Sequence, residues 1–380
     1  MESFDYIIVG AGAAGLQLVL AMQEDSFFAT RQILIIEKSQ KNVNDKTWCF
    51  WEKGPGKWDQ VIAKSWSKSV FVSADHHTPL DLGDYKYKML RSIDFYRMAK
   101  DKINDVANIR WITDEVKAIN QGSPTEVITA NANYQAKHVF DSQIDGDFYA
   151  SQEKYINVLQ HFKGWLVETK DAVFDPECFT MMDFRIKYPE STSFTYVLPV
   201  NSRQALVEFT FFSPQTIPDD EYDYYLKKYM VKILGAAEYE ILEIEKGLIP
   251  MSNYPFHKSN STCMTKIGTA GSWVKASSGY SFKNAEKYSA KIIDNIKHGR
   301  IPNEALFSHR HKKYDSLFLD VLYNNNHLGE RLFSDMYTKN DISQILAFLD
   351  EDTTLIEELK IITTFPWNPF LKALKNHLLP

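Results

Sequence analysis

The chain has 380 residues, 44% hydrophobic and 24% charged, an ordinary balance for a water-soluble protein but more chain than one compact core usually holds, so two lobes around one ligand cleft are expected. A net charge of −6 excludes nucleic acid as a principal partner. The three cysteines, Cys49, Cys178 and Cys263, lie far apart without CxxC spacing, which argues against a zinc site or a disulfide scaffold, so no metal is expected and a reducing cytoplasm is. Aromatic residues reach 14%, which suits a long apolar pocket as well as it suits a ring-rich core.

The opening Met1-Glu2-Ser3-Phe4-Asp5 runs straight into a strand, without a secretory-signal pattern. Residues 6–9 form an apolar run that ends at Gly10 and reads as a buried parallel strand. Residues 16–22 read as a helix. Residues 32–36 read as a second buried strand that ends at Glu37. Residues 41–90 look like excursions over this sheet, and 91–106 have helical spacing. Strands are expected at 116–119, 126–130 and 138–141. Alternation at 165–169, 194–198 and 205–212 predicts an antiparallel sheet, with a helix near 219–235. After Gly271 the pattern is helical to the end. No apolar run approaches the roughly 20 residues that span a bilayer, so any membrane contact is expected to be peripheral. The expected fold class is α/β. A discontinuous Rossmann-like FAD-binding domain (1–160 plus 262–300) would carry an antiparallel substrate domain (161–261) and a helical C-terminal region (301–380).

Gly10-Ala11-Gly12-Ala13-Ala14-Gly15 is a GxGxxG motif. It follows a strand, opens a helix, and is followed by an acid closing the next strand, which is the context a dinucleotide needs. Gly10 permits the tight turn, Gly12 lets a pyrophosphate approach the backbone, and Gly15 lets the helix pack against the strand. Free N–H groups of Ala13, Ala14 and their neighbours face the phosphates. Glu37 is placed to accept hydrogen bonds from the adenosine ribose. This unit suits FAD or NAD. A second cluster, Gly268-Thr269-Ala270-Gly271, lies between a strand and a later helix and favours FAD, because flavoprotein hydroxylases carry flavin contacts on such a turn. Most of those enzymes have Asp where this chain has Thr269.

Further stretches share one pattern: Asp45-Lys46-Thr47-Trp48-Cys49-Phe50-Trp51, Val139-Phe140-Asp141-Ser142, Met182-Asp183-Phe184-Arg185, Leu206-Val207-Glu208-Phe209-Thr210, Gly247-Leu248-Ile249-Pro250-Met251, and Ser278-Gly279-Tyr280-Ser281-Phe282. In this order, and over nearly the whole chain, they resemble the bacterial lycopene cyclases. Gly-Thr-Ala-Gly looks like that family's version of the second turn. The resemblance implies FAD bound in reduced form, NAD(P)H as reductant, and lycopene or other ψ-end carotenoids as substrate. It implies closure of each ψ-end to a β-ionone ring, giving β-carotene through γ-carotene without net redox change. An enzyme of this kind would sit in the cytoplasm, peripherally on the inner membrane.

That chemistry needs an acid in an apolar cavity, density to hold a carbocation, and exclusion of water. Glu208 aligns with the family's essential Glu and sits among apolar neighbours, where desolvation raises a carboxyl's pKa. Periodicity alone favours an outward-facing carboxylate, since Leu206, Glu208 and Thr210 share one strand face and Val207, Phe209 and Phe211 the other; the resemblance points the other way. Asp183 is a second carboxylate in apolar company, able to take the C6 proton, to orient Glu208, or to serve structure only. Trp48, Phe50 and Trp51 offer cation–π density or plain packing. Lys46 and Arg91 could meet a cofactor or solvent, and His76-His77 reads as solvated. The apolar, weakly basic tail 365–380 suits a bilayer interface or packing on the body. Two other functions fit the motifs: an FAD-dependent monooxygenase on an aromatic or terpenoid substrate, and a non-catalytic flavin- or carotenoid-binding protein.

Overall fold

The computed structural model describes residues 1–378, so Leu379 and Pro380 of the predicted interfacial tail lie outside the described residues. The N-terminal apolar run forms the strand Glu2–Val9, buried on both faces. Ile8, with Ile33 and Ile35 of the strand Ile33–Glu37, packs under helices; Ile7, Val9, Leu34 and Ile36 fill the opposite core. Such two-sided burial is what a parallel strand requires. Glu2–Val9 lies at the centre of a sheet in which Ile33–Glu37 and Asn133–Asp141 run parallel to it on either side. Ile109–Thr113 and Met264–Lys266 extend the parallel set outward. The antiparallel strands Val116–Asn120 and Thr125–Thr129 complete this mixed α/β, Rossmann-like layer.

The helix Ala13–Glu24 leaves the glycine turn and packs beside the helix Phe282–Lys297, with the buried Gln17 side-chain amide donating to the Phe282 carbonyl at 3.2 Å. That contact ties the first glycine turn to the segment that follows the second.

A second, seven-stranded sheet runs in the order Tyr239–Ser252, Asn157–Thr169, Gln204–Ser213, Thr192–Pro199, Cys178–Asp183, Lys68–Val72, His77–Asp81. Its first five strands are antiparallel neighbours; Cys178–Asp183 pairs parallel with Lys68–Val72. Residues 41–90 are thus more than excursions. They supply two strands to this sheet and a small sheet of their own, Thr47–Lys53, Tyr85–Arg91 and Ile62–Trp66. One face of the large sheet buries Val207, Phe209 and Phe211 against Tyr222, Tyr225 and Tyr229 of the helix Asp219–Lys232. The other face looks toward the Rossmann-like layer. Five helices from His309 to Leu378 close over the gap. Among the described residues, no helix is long and apolar enough to cross a membrane.

Candidate functional site

A cavity of about 530 Å³ lies where the two sheets and the C-terminal helices meet. Gly12, Ala13, Ala14 and Gly15 line one end of it, and Gly268 and Thr269 stand beside them. Gly10, Glu37, Ala270 and Gly271 do not line it. Gly10 has φ +94°, and a Cβ there would fall 2.0 Å from Ser142 Oγ. A Cβ at Gly15 would fall 2.0 Å from the Gly10 carbonyl oxygen, so the helix can approach the turn only with glycine there. A Cβ at Gly12 would meet nothing within 4 Å; the space over that residue is open, as a bound pyrophosphate requires. The buried Glu37 accepts from the Ala11 N–H at 2.7 Å through one carboxyl oxygen, and from Ser39 N–H and Oγ–H at 3.1 and 2.9 Å through the other. It therefore clamps the glycine turn. Lys41 and Lys46 join the glycine turn in the same cavity, whereas Arg91 is turned away into an ion pair with Glu243 at 2.6 Å.

Farther in, the cavity is walled by the second sheet. Leu206, Glu208, Thr210 and Phe212 line it, in alternation with the residues packed on the helix behind. The strand alternates as its sequence predicts, and the face that carries Glu208 turns inward rather than to solvent. Glu208 is 8% exposed, and among the described residues its carboxyl has no hydrogen-bond donor. Burial pushes its pKa well above the usual carboxylate range, and the like charge of Glu245 pushes it further.

The strand register explains both effects. Glu245, Gly164, Glu208 and Tyr196 occupy one cross-strand row, so Glu208 has a bare backbone on one side and a tyrosine on the other. The next row sets Gly247 beside Phe162, whose ring fills the space a Cβ at Gly247 would take.

The structure gathers groups to which the sequence assigns no role. The Tyr196 hydroxyl donates to the Tyr87 hydroxyl at 2.6 Å, which lies 2.9 Å from the Tyr280 hydroxyl. Burial raises the pKa of all three, and of the neighbouring Cys49 thiol, so this wall is neutral. Phe318, Phe333, Met336, Phe365 and Phe370 complete an apolar roof.

Asp183 belongs elsewhere. It is fully buried, does not line the cavity, and is held by Arg185 and by the Tyr229 hydroxyl at 2.8 Å. The carboxyl brought to Glu208 is Glu245. Of the three rings offered for cation–π contact, only Trp48 lines the cavity. Phe50 stacks on Phe282 at 5.0 Å, and Trp51 donates to Asp350 at 2.8 Å. His76 and His77 are exposed.

The model of one family, described as lycopene cyclase protein, matches residues 5–375. No curated protein matches the chain in sequence. Among solved structures, a geranylgeranyl bacteriochlorophyll reductase-like protein from Thermoplasma acidophilum is similar with a TM-score of 0.61 at 12% identity, covering 99% of this chain and 98% of that one. The flavin-dependent brominase Bmp2 gives 0.59 at 12% identity, over 99% of both chains. A probable FAD-dependent monooxygenase from Pseudomonas aeruginosa gives 0.55 at 11% identity, over 92% of this chain and all of that one. At these identities the likeness is one of fold.

Proposed function

This chain belongs to the lycopene cyclase family, and from that membership we propose that it is a flavin-dependent, redox-neutral lycopene β-cyclase. The observation that carries the reading is Glu208, a buried carboxyl with no hydrogen-bond donor among the described residues, in one apolar cavity with the glycine turn. The fold does not choose among chemistries, since a reductase-like protein, a brominase and a monooxygenase share it. What supports this reading is a carboxyl whose pKa burial raises, facing apolar space, because a carboxyl of that kind can give a proton to an alkene.

In this reading the Gly12–Gly15 turn, with Lys41 and Lys46 nearby, holds the pyrophosphate of FAD, and the Gly268–Gly271 turn holds the flavin end. Bound in reduced, anionic form, with NAD(P)H as reductant, FAD would supply negative charge near a carbocation. Glu208 protonates the C1–C2 double bond of a ψ-end. The tertiary cation at C1 is attacked by the C5–C6 double bond, and loss of the C6 proton gives the β-ring. The neutral tyrosine wall and the phenylalanine roof keep out water that would trap the cation. Two such closures give β-carotene through γ-carotene, an isomerisation of the intramolecular-lyase type.

A substrate dissolved in a bilayer must be collected there. Trp367, Leu371 and Leu374 of the last helix and Leu355, Ile356 and Leu359 of the one before it are exposed, and the adjoining Phe365 and Phe370 line the cavity. This apolar surface beside the cavity supports peripheral seating on the inner membrane from the cytoplasm.

Expression in cells that accumulate lycopene tests the reading. Conversion to β-carotene is expected, without stoichiometric use of NAD(P)H and O₂. Stoichiometric use of both would identify a monooxygenase. Lycopene left unchanged would sink the proposal; pigment or flavin bound without turnover, with Glu208→Ala silent, would leave a binding protein.

A further inference from the structure

We propose that Glu245 is the base that takes the proton from C6, and that its position fixes the new double bond within the β-ring. The proposal rests on the cyclase reading and assigns a second reacting residue within it.

Three observations carry it. First, Glu208 and Glu245 flank Gly164 in one cross-strand row and both line the cavity. Their strands stand roughly 10 Å apart, two strand spacings, and the residue between them has no side chain. The Glu208 side chain leans over the bare backbone of Gly164, where a Cβ would lie 2.6 Å from its Cγ. Both carboxyls therefore front the same stretch of the cavity wall, and a cyclising end seated against that stretch meets the two together.

Second, the two carboxyls are differently supplied with donors. Glu208 has none. Glu245 accepts from the Thr47 N–H at 2.8 Å and from the Thr47 Oγ–H at 2.6 Å, one donor to each oxygen. Environments that set paired carboxyls apart in this way divide them into acid and base. Third, Asp183 is engaged in the core by Arg185 and Tyr229 and does not reach the cavity.

The step balances without an oxidant or reductant. The Glu208 O–H bond breaks and a C2–H bond forms. The C5–C6 π pair becomes the C1–C6 bond and leaves the charge on C5. The C6–H bond breaks, its electron pair forms the new C5–C6 double bond, and the proton goes to the Glu245 carboxylate. Passage of that proton to Glu208 restores the pair. The cation at C5 can equally lose a proton from C4 or from its methyl group, giving a ring with its double bond elsewhere. The position of the base decides among them.

The test compares the wild-type chain with Glu245→Gln and Thr47→Val in lycopene-accumulating cells, with the flavin spectrum of each purified protein as a check of the cradle. The wild type is expected to give β-rings only. Glu245→Gln is expected to keep consuming lycopene, at least about 10-fold more slowly, and to yield a mixture containing other ring isomers or water-trapped alcohols. Thr47→Val removes one donor to Glu245 and is expected to shift products in the same direction. Pure β-rings from Glu245→Gln, at any rate, would overturn the assignment, as would complete loss of lycopene consumption with flavin still bound. If Glu245→Gln fails to bind flavin, Thr47→Val decides: mixed rings support the base, pure β-rings refute it. A wild-type chain inert toward lycopene would instead remove the cyclase reading itself.

Discussion

Gly164 stands opposite Glu208 across the paired strands Asn157–Thr169 and Gln204–Ser213, and a Cβ at Gly164 would lie 2.6 Å from Glu208 Cγ. The candidate acid therefore keeps its place only because its cross-strand neighbour has no side chain. Gly164→Ala is expected to force Glu208 aside. Overpacking of this kind costs about 1–3 kcal/mol, and turnover should fall by at least about 10-fold while flavin stays bound, because the glycine turn is remote from the change. Chemical denaturation and pigment analysis on one preparation check both halves. Wild-type turnover would mean that Glu208 need not occupy this position.

Glu208 also makes a prediction about pH. Its folded-state pKa is raised, by burial first and by Glu245 second. A carboxyl of this kind is protonated in both states at pH values below the ordinary carboxylate range. Above that range the unfolded chain releases the proton while the folded chain retains it, so stability declines as pH rises toward the folded-state value. Glu208→Gln cannot titrate. Its melting temperature is expected to match wild type near pH 4 and to exceed it increasingly toward pH 8, while turnover falls by about 100-fold or more. Melting curves that stay parallel across this range would show that Glu208 titrates normally.

The glycine turn allows fold and binding to be separated. Gly12 has φ −81° and ψ −171°, a conformation open to any residue, and faces open space; at Gly15 a Cβ would meet the Gly10 carbonyl. Gly12→Val should therefore leave the melting temperature of the flavin-free protein unchanged and weaken flavin binding by at least about 10-fold, or 1.4 kcal/mol. Gly15→Val should lower the melting temperature itself. Titration of apoprotein with FAD, followed by fluorescence, distinguishes the two; retained affinity in Gly12→Val would place the pyrophosphate elsewhere.

How much of this the sequence reveals depends on the range of the contact involved. The glycine turn and Glu37 are legible because a strand, a turn and a strand are close in sequence, and because the hydrogen bond from Ala11 to Glu37 closes within that unit. The alternation in residues 204–213 is legible too, since it assigns Leu206, Glu208 and Thr210 to one face; whether that face meets solvent or a cavity depends on helices more than 100 residues later. Strand register is not legible. Glu245 becomes the neighbour of Glu208 only through Gly164 on the strand between them, and Tyr87, Tyr196 and Tyr280 meet from three separate parts of the chain. Residues 41–90 divide between two sheets for the same reason, because their partners lie far away in sequence.

Asp183 shows how local composition misleads. Its neighbours Met181 and Met182 line the cavity, but Asp183 itself does not, and its carboxyl accepts from the Arg185 backbone N–H at 3.0 Å, from Arg185 Nε–H at 3.0 Å, and from the Tyr229 hydroxyl. It fastens the strand Cys178–Asp183 to the helix Asp219–Lys232 on the side away from the cavity. Asp183→Asn keeps the shape but removes the charge and part of the acceptor capacity. A loss of about 1–3 kcal/mol is expected, together with unchanged turnover per flavin-bound molecule and an unchanged ring type among the products. Urea denaturation and pigment analysis measure the two effects separately. A stable Asp183→Asn protein with turnover reduced about 100-fold would return Asp183 to the reacting groups and would require a movement of the strand that carries it.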